Sequence, residues 1–134
     1  MDPLAELLRR SAVIAVVGMS TNPAKAAHQV PMAMAAHGYT IVPVHLTATS
    51  IGGLIAYPSL AQVPVPIDLV DVFRPAAEAP EVARQAVAVG ARALWLQLGI
   101  VSAEARAVAQ AAGLDYVEDR CLAVERQRLG VVPG

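Results

Sequence analysis

The chain has 134 residues, 56% of them hydrophobic and 16% charged, with a formal net charge of −1 at pH 7. This length predicts one domain, residues 1–134, and the near-neutral charge gives no basic field for nucleic acid. The single cysteine, Cys121, excludes an intrachain disulfide and a multi-cysteine metal site. No apolar run is long enough for a membrane span or a signal peptide. We therefore expect a cytoplasmic protein.

Strands and helices alternate along the chain. Apolar β-branched runs predict strands, runs with few breakers predict helices, and glycine or proline separates them. In chain order we predict a helix over 4–10, a strand over 12–17, a helix over 24–37, a strand over 39–44, a loop over 45–57, a helical turn over 58–61, a strand over 67–73, a helix over 76–89, a strand over 93–98, a helix capped by Ser102 and stopped by Gly113, a strand over 114–117 and a helix over 121–129. This alternation predicts one α/β domain with a parallel sheet.

The strand over 12–17 ends in a tight turn at Gly18. Ser20 and Asn22 are further turn formers, and Pro23 suits the first turn of the next helix. Such a turn directs backbone N–H groups over the carboxyl end of the strand, where phosphate groups bind in α/β proteins. A dinucleotide fingerprint has three glycines and this turn has one, so the turn either binds a phosphate or is only a tight connection.

The carboxyl ends of parallel strands meet at one edge of the sheet, where a ligand crevice forms. Here they carry backbone, hydroxyl, amide and cationic groups rather than a nucleophile, a base and an orienting residue. His45, Asp71 and Cys121 are the nearest catalytic candidates, and no pattern brings them together. We therefore predict no catalytic residue and no metal site. Since a carboxylate in an apolar strand is costly unless paired, Asp71 is expected to bond a backbone amide or an arginine.

Acidic residues are absent between Leu7 and Ile67. The gap reflects either an Ala- and Arg-rich composition or an anionic ligand that faces this half of the chain. An NAD site in such a fold has a carboxylate about 20 residues beyond the glycine turn, where it binds ribose hydroxyls. Here the second strand ends at Val44 and His45 instead. This favours a ligand whose ribose carries a phosphate, which a carboxylate would repel.

Several ordered segments carry a family resemblance. They are VVGMSTNP at 16–23, VPV at 42–44, Gly53 with YPSL at 57–60, DLVDVFR at 68–74, WLQLG at 95–99 and DRC at 119–121. The chain resembles the small bacterial and archaeal CoA-binding proteins, single domains similar to the CoA-binding domain of the succinyl-CoA synthetase α subunit. The resemblance implies a doubly wound, Rossmann-like fold and bound coenzyme A or acyl-CoA. It departs from the family pattern at His45-Leu46, usually Asn-Pro, and at Lys25-Ala26, usually a basic residue and proline.

The resemblance implies a binding site at the carboxyl edge of the sheet. The pyrophosphate would lie on the glycine turn and the helix N-terminus, and the end of the second strand and the Phe-Arg segment would flank the adenosine and phosphates. The predicted coenzyme A-binding residues are Gly18, Met19, Ser20, Pro23, Lys25, Val44, His45, Phe73, Arg74, Pro75, Gln97 and Gly99. A side chain at Gly18 is expected to leave folding intact and abolish binding.

Some of these side chains have a second explanation. Lys25 either binds a phosphate or is a solvated helix residue, and His45 either bonds the adenosine or caps the strand. Arg74 binds a phosphate or pairs with Asp71. Trp95 is expected in the core, and Cys121 is either a small buried apolar side chain or a reactive thiol.

The predicted function is binding of coenzyme A or an acyl-CoA, by a protein that is a monomer or a homodimer and binds neither nucleic acid nor membrane. A binding protein is favoured over an enzyme. Two other functions fit the same patterns: an NAD(P)-type dinucleotide-binding protein or small dehydrogenase, and a non-catalytic interaction subunit of a larger complex.

Overall fold

The computed structural model describes residues 2–134, which form seven strands and five α-helices. In chain order they are α1 (Pro3–Arg10), β1 (Val13–Val17), α2 (Ala26–Ala36), β2 (Thr40–Val44), β3 (Ser50–Ile51), β4 (Leu54–Ile55), β5 (Leu69–Val72), α3 (Ala79–Ala88), β6 (Ala93–Leu96), α4 (Ala103–Ala111), β7 (Asp115–Val117) and α5 (Leu122–Leu129). Short 3₁₀ turns cover Leu60–Gln62 and Ala76–Glu78. None of the helices in this part of the chain is long and apolar enough to cross a membrane.

Five of the strands form one parallel sheet in the order β2-β1-β5-β6-β7. Helices α1, α2 and α5 pack on one face, and α3 and α4 pack on the other. This confirms the predicted doubly wound, Rossmann-like α/β fold. The chain moves outward from β1 to β2 and then crosses to β5 on the other side of β1. The direction of winding therefore reverses between β1 and β5, which is where ligands bind in open sheets of this kind.

The central strands are apolar on both faces because helices cover both faces. All four residues of β5 and all four of β6 are buried. Trp95, in the middle of β6, is fully buried, which confirms its predicted place in the core. Its indole Nε1–H donates a hydrogen bond to the Arg120 carbonyl at 2.8 Å, so burial leaves no polar atom of that ring without a partner.

The helix after the glycine turn starts two residues later than the sequence predicts. The side-chain oxygen of Asn22 accepts the Ala24 N–H at 3.0 Å, and its backbone carbonyl accepts the Lys25 N–H at 3.1 Å. A side chain that bonds its own backbone two residues on holds the chain in a turn rather than a helix. The start predicted at Ala24 is therefore wrong, and α2 begins at Ala26.

The loop predicted over 45–57 contains a short antiparallel hairpin, and that prediction is wrong in this part. Ser50 pairs with Ile55 and Ile51 with Leu54, on either side of Gly52-Gly53. Two glycines between apolar pairs favour a two-residue hairpin turn, because both turn positions then tolerate positive φ. The hairpin packs over α2, since a Cβ placed on Gly52 would lie 2.7 Å from the sulfur of Met32.

Pro31 lies inside α2 without ending it, and α2 continues to Ala36. Proline has no N–H, so it leaves the carbonyl four residues earlier without its usual helical donor. That carbonyl belongs to Ala27, and it accepts the Ser20 N–H at 3.1 Å instead. The proline thus lets the helix bind the glycine turn directly.

Candidate functional site

A cleft of about 570 Å³ opens at the carboxyl ends of β1, β2 and β5. It lies at the point where the winding of the sheet reverses, which is the position expected for a ligand in this topology. Among the residues that line it are Gly18, Val44, His45, Arg74 and Glu78. Four of the predicted coenzyme A-binding residues therefore meet in one cavity, and Glu78 joins them.

Gly18 forms the floor of this cleft and is required by the fold itself. Its φ is +88°, a conformation that residues with a side chain rarely adopt. A Cβ at this position would lie 2.7 Å from Cδ of Arg74 and 2.9 Å from the carbonyl oxygen of Phe73. A side chain here must displace the backbone of the neighbouring strand end, so we expect it to lower stability, and the expectation that such a variant still folds stays a prediction.

Hydrogen bonds within the turn hold it in one conformation. Besides its bond to Ala27, Ser20 accepts the Asn22 N–H on its hydroxyl at 3.0 Å. The Ser20 carbonyl lies 2.8 Å from Nδ1 of His28, and since a carbonyl only accepts, this ring nitrogen carries the proton. Among residues 2–134, the structure gives no acceptor to the Met19 N–H. Met19 is nevertheless buried and lies outside the cleft lining, and the Ser20 N–H is already used, so the structure shows neither N–H facing the cleft.

His45 follows β2 directly and caps the next turn. Its Nδ1 accepts the N–H groups of Thr47 at 3.2 Å and of Ala48 at 2.9 Å. A ring nitrogen that accepts carries no proton, so the neutral ring carries its proton on Nε2. His45 has the predicted capping role, and the Nε2–H donor remains for a ligand in the cleft that the residue lines.

The wall beside His45 is built by the chain after the hairpin. The His45 N–H donates to the Tyr57 carbonyl at 2.9 Å, and the Tyr57 N–H donates to the Pro43 carbonyl at 3.0 Å. These two bonds continue the sheet by one parallel bridge beyond β2. They bring Pro58 and Ser59 to the rim of the cleft.

Arg74 is paired with Glu78 and not with Asp71. Its Nε donates to Glu78 Oε1 at 3.1 Å and its Nη2 donates to Oε2 at 2.9 Å. This is a two-bond arrangement between the flat guanidinium and the carboxylate, four residues apart, and both side chains are about half exposed. Of the two alternatives for Arg74, pairing with Asp71 is therefore wrong, and binding of a phosphate stays a prediction. The one arginine or lysine among the described residues that line the cleft has an internal counter-ion.

Asp71 bonds Gln97 instead of an arginine. The Gln97 Nε2–H donates to Asp71 Oδ1 at 2.6 Å, and Gln97 Oε1 accepts the Leu122 N–H at 3.4 Å, in the first turn of α5. Asp71 is fully buried, and its Oδ2 has no hydrogen-bond partner within the described residues. Burial raises the pKa of this carboxyl to about 7, against the lowering effects of the Gln97 bond and of a bond to the Val72 backbone.

The remaining predicted site residues lie outside the cavity lining. Met19 is buried in the core, Gln97 is buried with both ends of its amide engaged, and the Gly99 N–H donates to Asp119 Oδ1 at 2.7 Å. Phe73 is half-buried and packs against the core that α1, α2 and α5 cover. The other members of the predicted set do not line the cleft either. Ser20 is half-buried in the turn, and the exposed members are Pro23, Lys25 and Pro75.

Acidic residues in the cleft are the main feature that the sequence reasoning missed. Glu78 and Glu81 line it, as do Val82 and Gln85. Spacings of three, four and seven residues place these side chains on one face of α3. Because that helix starts just beyond the end of β5, the spacing was a readable signal that one face of α3 would line the cleft.

A larger groove of about 1030 Å³ runs along β7, away from the glycine turn. It is wide and shallow, and ion pairs hold most of its charged side chains. Arg10 pairs with Asp115, Arg106 with Glu118, and Glu125 with both Arg120 and Arg128. With these charges already satisfied, the groove offers little to an ionic ligand, and the smaller cleft is the better candidate site.

The cysteine and histidine residues form no metal centre in the described part of the chain, where no group of three or more His, Cys, Asp or Glu could hold an ion. Cys121 is half-buried at the N-terminus of α5, in the reduced form. It is thus neither fully buried, as a core apolar side chain would be, nor fully exposed.

The fold and the cleft define a Rossmann-like protein with a candidate ligand site at the reversal of sheet winding. A family model described as a CoA binding domain matches residues 12–127. The Bacillus subtilis protein YneT is 38% identical over 121 residues, which is 90% of either chain. A solved structure from Thermus thermophilus is 34% identical, with a TM-score of 0.89, and the match covers 94% of this chain and 96% of that one.

This chain belongs to the CoA-binding domain family. The same fold occurs in a dinucleotide-forming acetyl-coenzyme A synthetase from Candidatus Korarchaeum cryptofilum, with a TM-score of 0.74 and 23% identity. That match covers 85% of this chain and only 27% of the synthetase, so it shows a shared fold. Family membership supports coenzyme A as the ligand in general and confirms the resemblance seen in the sequence.

Proposed function

We propose that this chain binds coenzyme A, free or acylated, in the cleft at the carboxyl ends of β1, β2 and β5. The observation that carries the proposal is the position of Gly18 and Arg74. They lie just beyond the ends of the two strands between which the winding reverses, and a Cβ placed on Gly18 would lie 2.7 Å from Cδ of Arg74. A tight glycine turn beside an arginine provides a close backbone approach and a cation for phosphate groups.

The cleft has a polar part that suits the phosphates of coenzyme A and an apolar part that suits its adenosine. Phosphates would lie at Gly18 and Arg74. The adenosine would lie toward Val44, Pro58 and Val82, where the lining is mostly apolar, with the Nε2–H of His45 as a donor. An apolar pocket with a few placed polar groups is the usual form of a small-molecule site.

We further propose that the protein is a binder without turnover of its own, in one domain. His45 uses Nδ1 for capping, and Asp71 bonds Gln97, so neither forms a pair with a nucleophile. Steady product formation from an acyl-CoA that is lost on changing Cys121→Ala or His45→Ala would contradict this.

The proposal is tested by titrating coenzyme A, dephospho-coenzyme A, NAD and NADP side by side, with mass spectrometry of any ligand released from denatured protein. We expect coenzyme A to bind at least about tenfold tighter than its dephospho form, a difference of about 1.4 kcal/mol. The difference should shrink at high salt, because part of it is charge attraction. Equal affinity for the two, or tighter binding of NAD or NADP, would contradict the proposal.

A further inference from the structure

The Arg74–Glu78 pair lies where a phosphate group of the ligand would be expected. The stem of Arg74 covers the Gly18 turn, and its Nε and Nη2 both point their protons at the Glu78 carboxylate. A carboxylate and a phosphate accept the same pair of parallel N–H bonds from a guanidinium. Glu78 therefore occupies the edge of Arg74 that an anionic ligand needs.

We propose that Glu78 is an internal counter-ion which the phosphate of the ligand displaces, so that Glu78 sets the affinity of the site and its requirement for a highly charged ligand. This inference rests on the proposed function. Before the ligand binds, Glu78 neutralises Arg74. When a phosphate binds, the guanidinium exchanges one acceptor for another, and the Glu78 carboxylate turns toward solvent.

The pair is built for such an exchange. Both side chains are about half exposed, with 45% and 47% of their surface accessible, and ion pairs in water are weak. Glu78 lies at the junction of the 3₁₀ turn and α3, and its side chain makes no hydrogen bond other than those to Arg74 among residues 2–134. It can therefore move away without breaking other contacts.

Displacement also selects between ligands. A phosphate monoester carries nearly two negative charges at neutral pH, and a diester carries one, so the monoester competes better with a carboxylate for the same cation. The Glu78 carboxylate also repels any anion until it moves. Coenzyme A has such a monoester on its ribose, and dephospho-coenzyme A lacks it.

The test compares coenzyme A affinity by calorimetry in four proteins: the unchanged chain, Glu78→Gln, Arg74→Met and the double variant. Glu78→Gln should tighten binding about fivefold, because Arg74 is released and a unit of repulsion is lost. In the Arg74→Met background the same change should have less than about a twofold effect, because no cation remains to release and only the weak repulsion between the half-exposed Glu78 and the ligand is relieved.

The matched control is Glu6→Gln. Glu6 forms a similar two-bond pair with Arg9 on α1, at comparable exposure and outside the cleft lining, and its replacement changes the net charge equally. We expect its coenzyme A affinity to be unchanged. Circular dichroism establishes that each variant is folded.

The outcomes separate the two proposals. If the unchanged chain binds coenzyme A and Glu78→Gln leaves the affinity unchanged or weakens it, the displacement model is wrong and the proposed function stands. If the gain persists in the Arg74→Met background, Glu78 acts by simple repulsion and displacement is again wrong. If no protein in the set binds coenzyme A, the proposed function fails first.

Discussion

The Gln97 side chain donates a 2.6 Å hydrogen bond to Asp71 across two neighbouring central strands. Through its other end, Gln97 accepts the Leu122 N–H, so one buried amide joins β5, β6 and the start of α5. The carboxyl group at the centre of this link is shielded from water, which makes its protonation state part of the stability of the fold.

The first prediction concerns stability against pH. The pKa of Asp71 is about 7 in the folded chain and near 3.8 in the unfolded chain, so between these values the folded state binds more protons. The contribution of Asp71 to the free energy of unfolding is therefore largest below pH 4. It falls as the pH rises toward 7 and stays constant at higher pH. At about 1.4 kcal/mol per pKa unit, the loss amounts to a few kcal/mol.

The check is urea unfolding of the unchanged chain and of Asp71→Asn at several pH values from 5 to 8. Asn keeps the acceptor for Gln97 and cannot ionise, so the variant should lose most of the decline in stability across this range. An equal decline in both proteins would show that Asp71 ionises freely in the folded state.

The second prediction compares Gly18 and Gly53, which have similar positive φ angles. Gly53→Ala should cost about 1–2 kcal/mol, the strain of a side chain at positive φ, because nothing lies within 4 Å of the new Cβ. Gly18→Ala should cost a further 1–3 kcal/mol or so, because its Cβ meets the Phe73 carbonyl and Arg74. Chemical denaturation measures both, and equal costs would show that the strand ends move apart freely.

The third prediction separates the cation in the cleft from one that faces solvent. Arg74→Met should weaken coenzyme A binding by about tenfold or more, because the ligand loses a charge-assisted bond. Arg9→Met is the control, since Arg9 pairs with Glu6 on α1 and neither residue lines the cleft. Similar losses in both variants would argue for a general charge effect.

The fourth prediction concerns the proline in α2. Pro31→Ala supplies an N–H that competes with Ser20 for the Ala27 carbonyl, so the Ser20 amide should exchange with solvent faster. The helix itself should gain stability, by up to about 3 kcal/mol. Pro80→Ala serves as control, because Pro80 lies in the first turn of α3, where no helical bond is missing. Unchanged protection of Ser20 would contradict the role given to Pro31.

The order of strands and helices could be predicted from local patterns because each element depends on its own residues. Asp2 is one case: it precedes Pro3 and accepts the Leu4 N–H at 2.7 Å, as expected of a helix cap. The i, i+4 pair of Arg74 and Glu78 is equally local, but the sequence analysis considered only a phosphate or Asp71 as the partner of Arg74. Local signals of this kind can be read from a short segment of sequence alone.

Contacts between distant segments could not be predicted in the same way. The partner of Asp71 is 26 residues away, and only the register of β5 against β6 decides that Gln97 reaches it. Likewise, the Phe73 carbonyl beside Gly18 depends on how far β5 extends past β1. The sequence indicates which residues end each strand, whereas the shape of the cleft depends on where those ends lie relative to one another.

Pro43 has a consequence for how copies of this chain meet one another. The Thr40 N–H donates to Ala12 and the Val44 carbonyl accepts from Gly18, so alternate residues of β2 face inward and Pro43 faces the open edge of the sheet. Proline has no N–H to donate at this edge, and its carbonyl already accepts the Tyr57 N–H. A strand from another molecule would find the ladder interrupted at Pro43, which works against edge-to-edge aggregation at this end of β2.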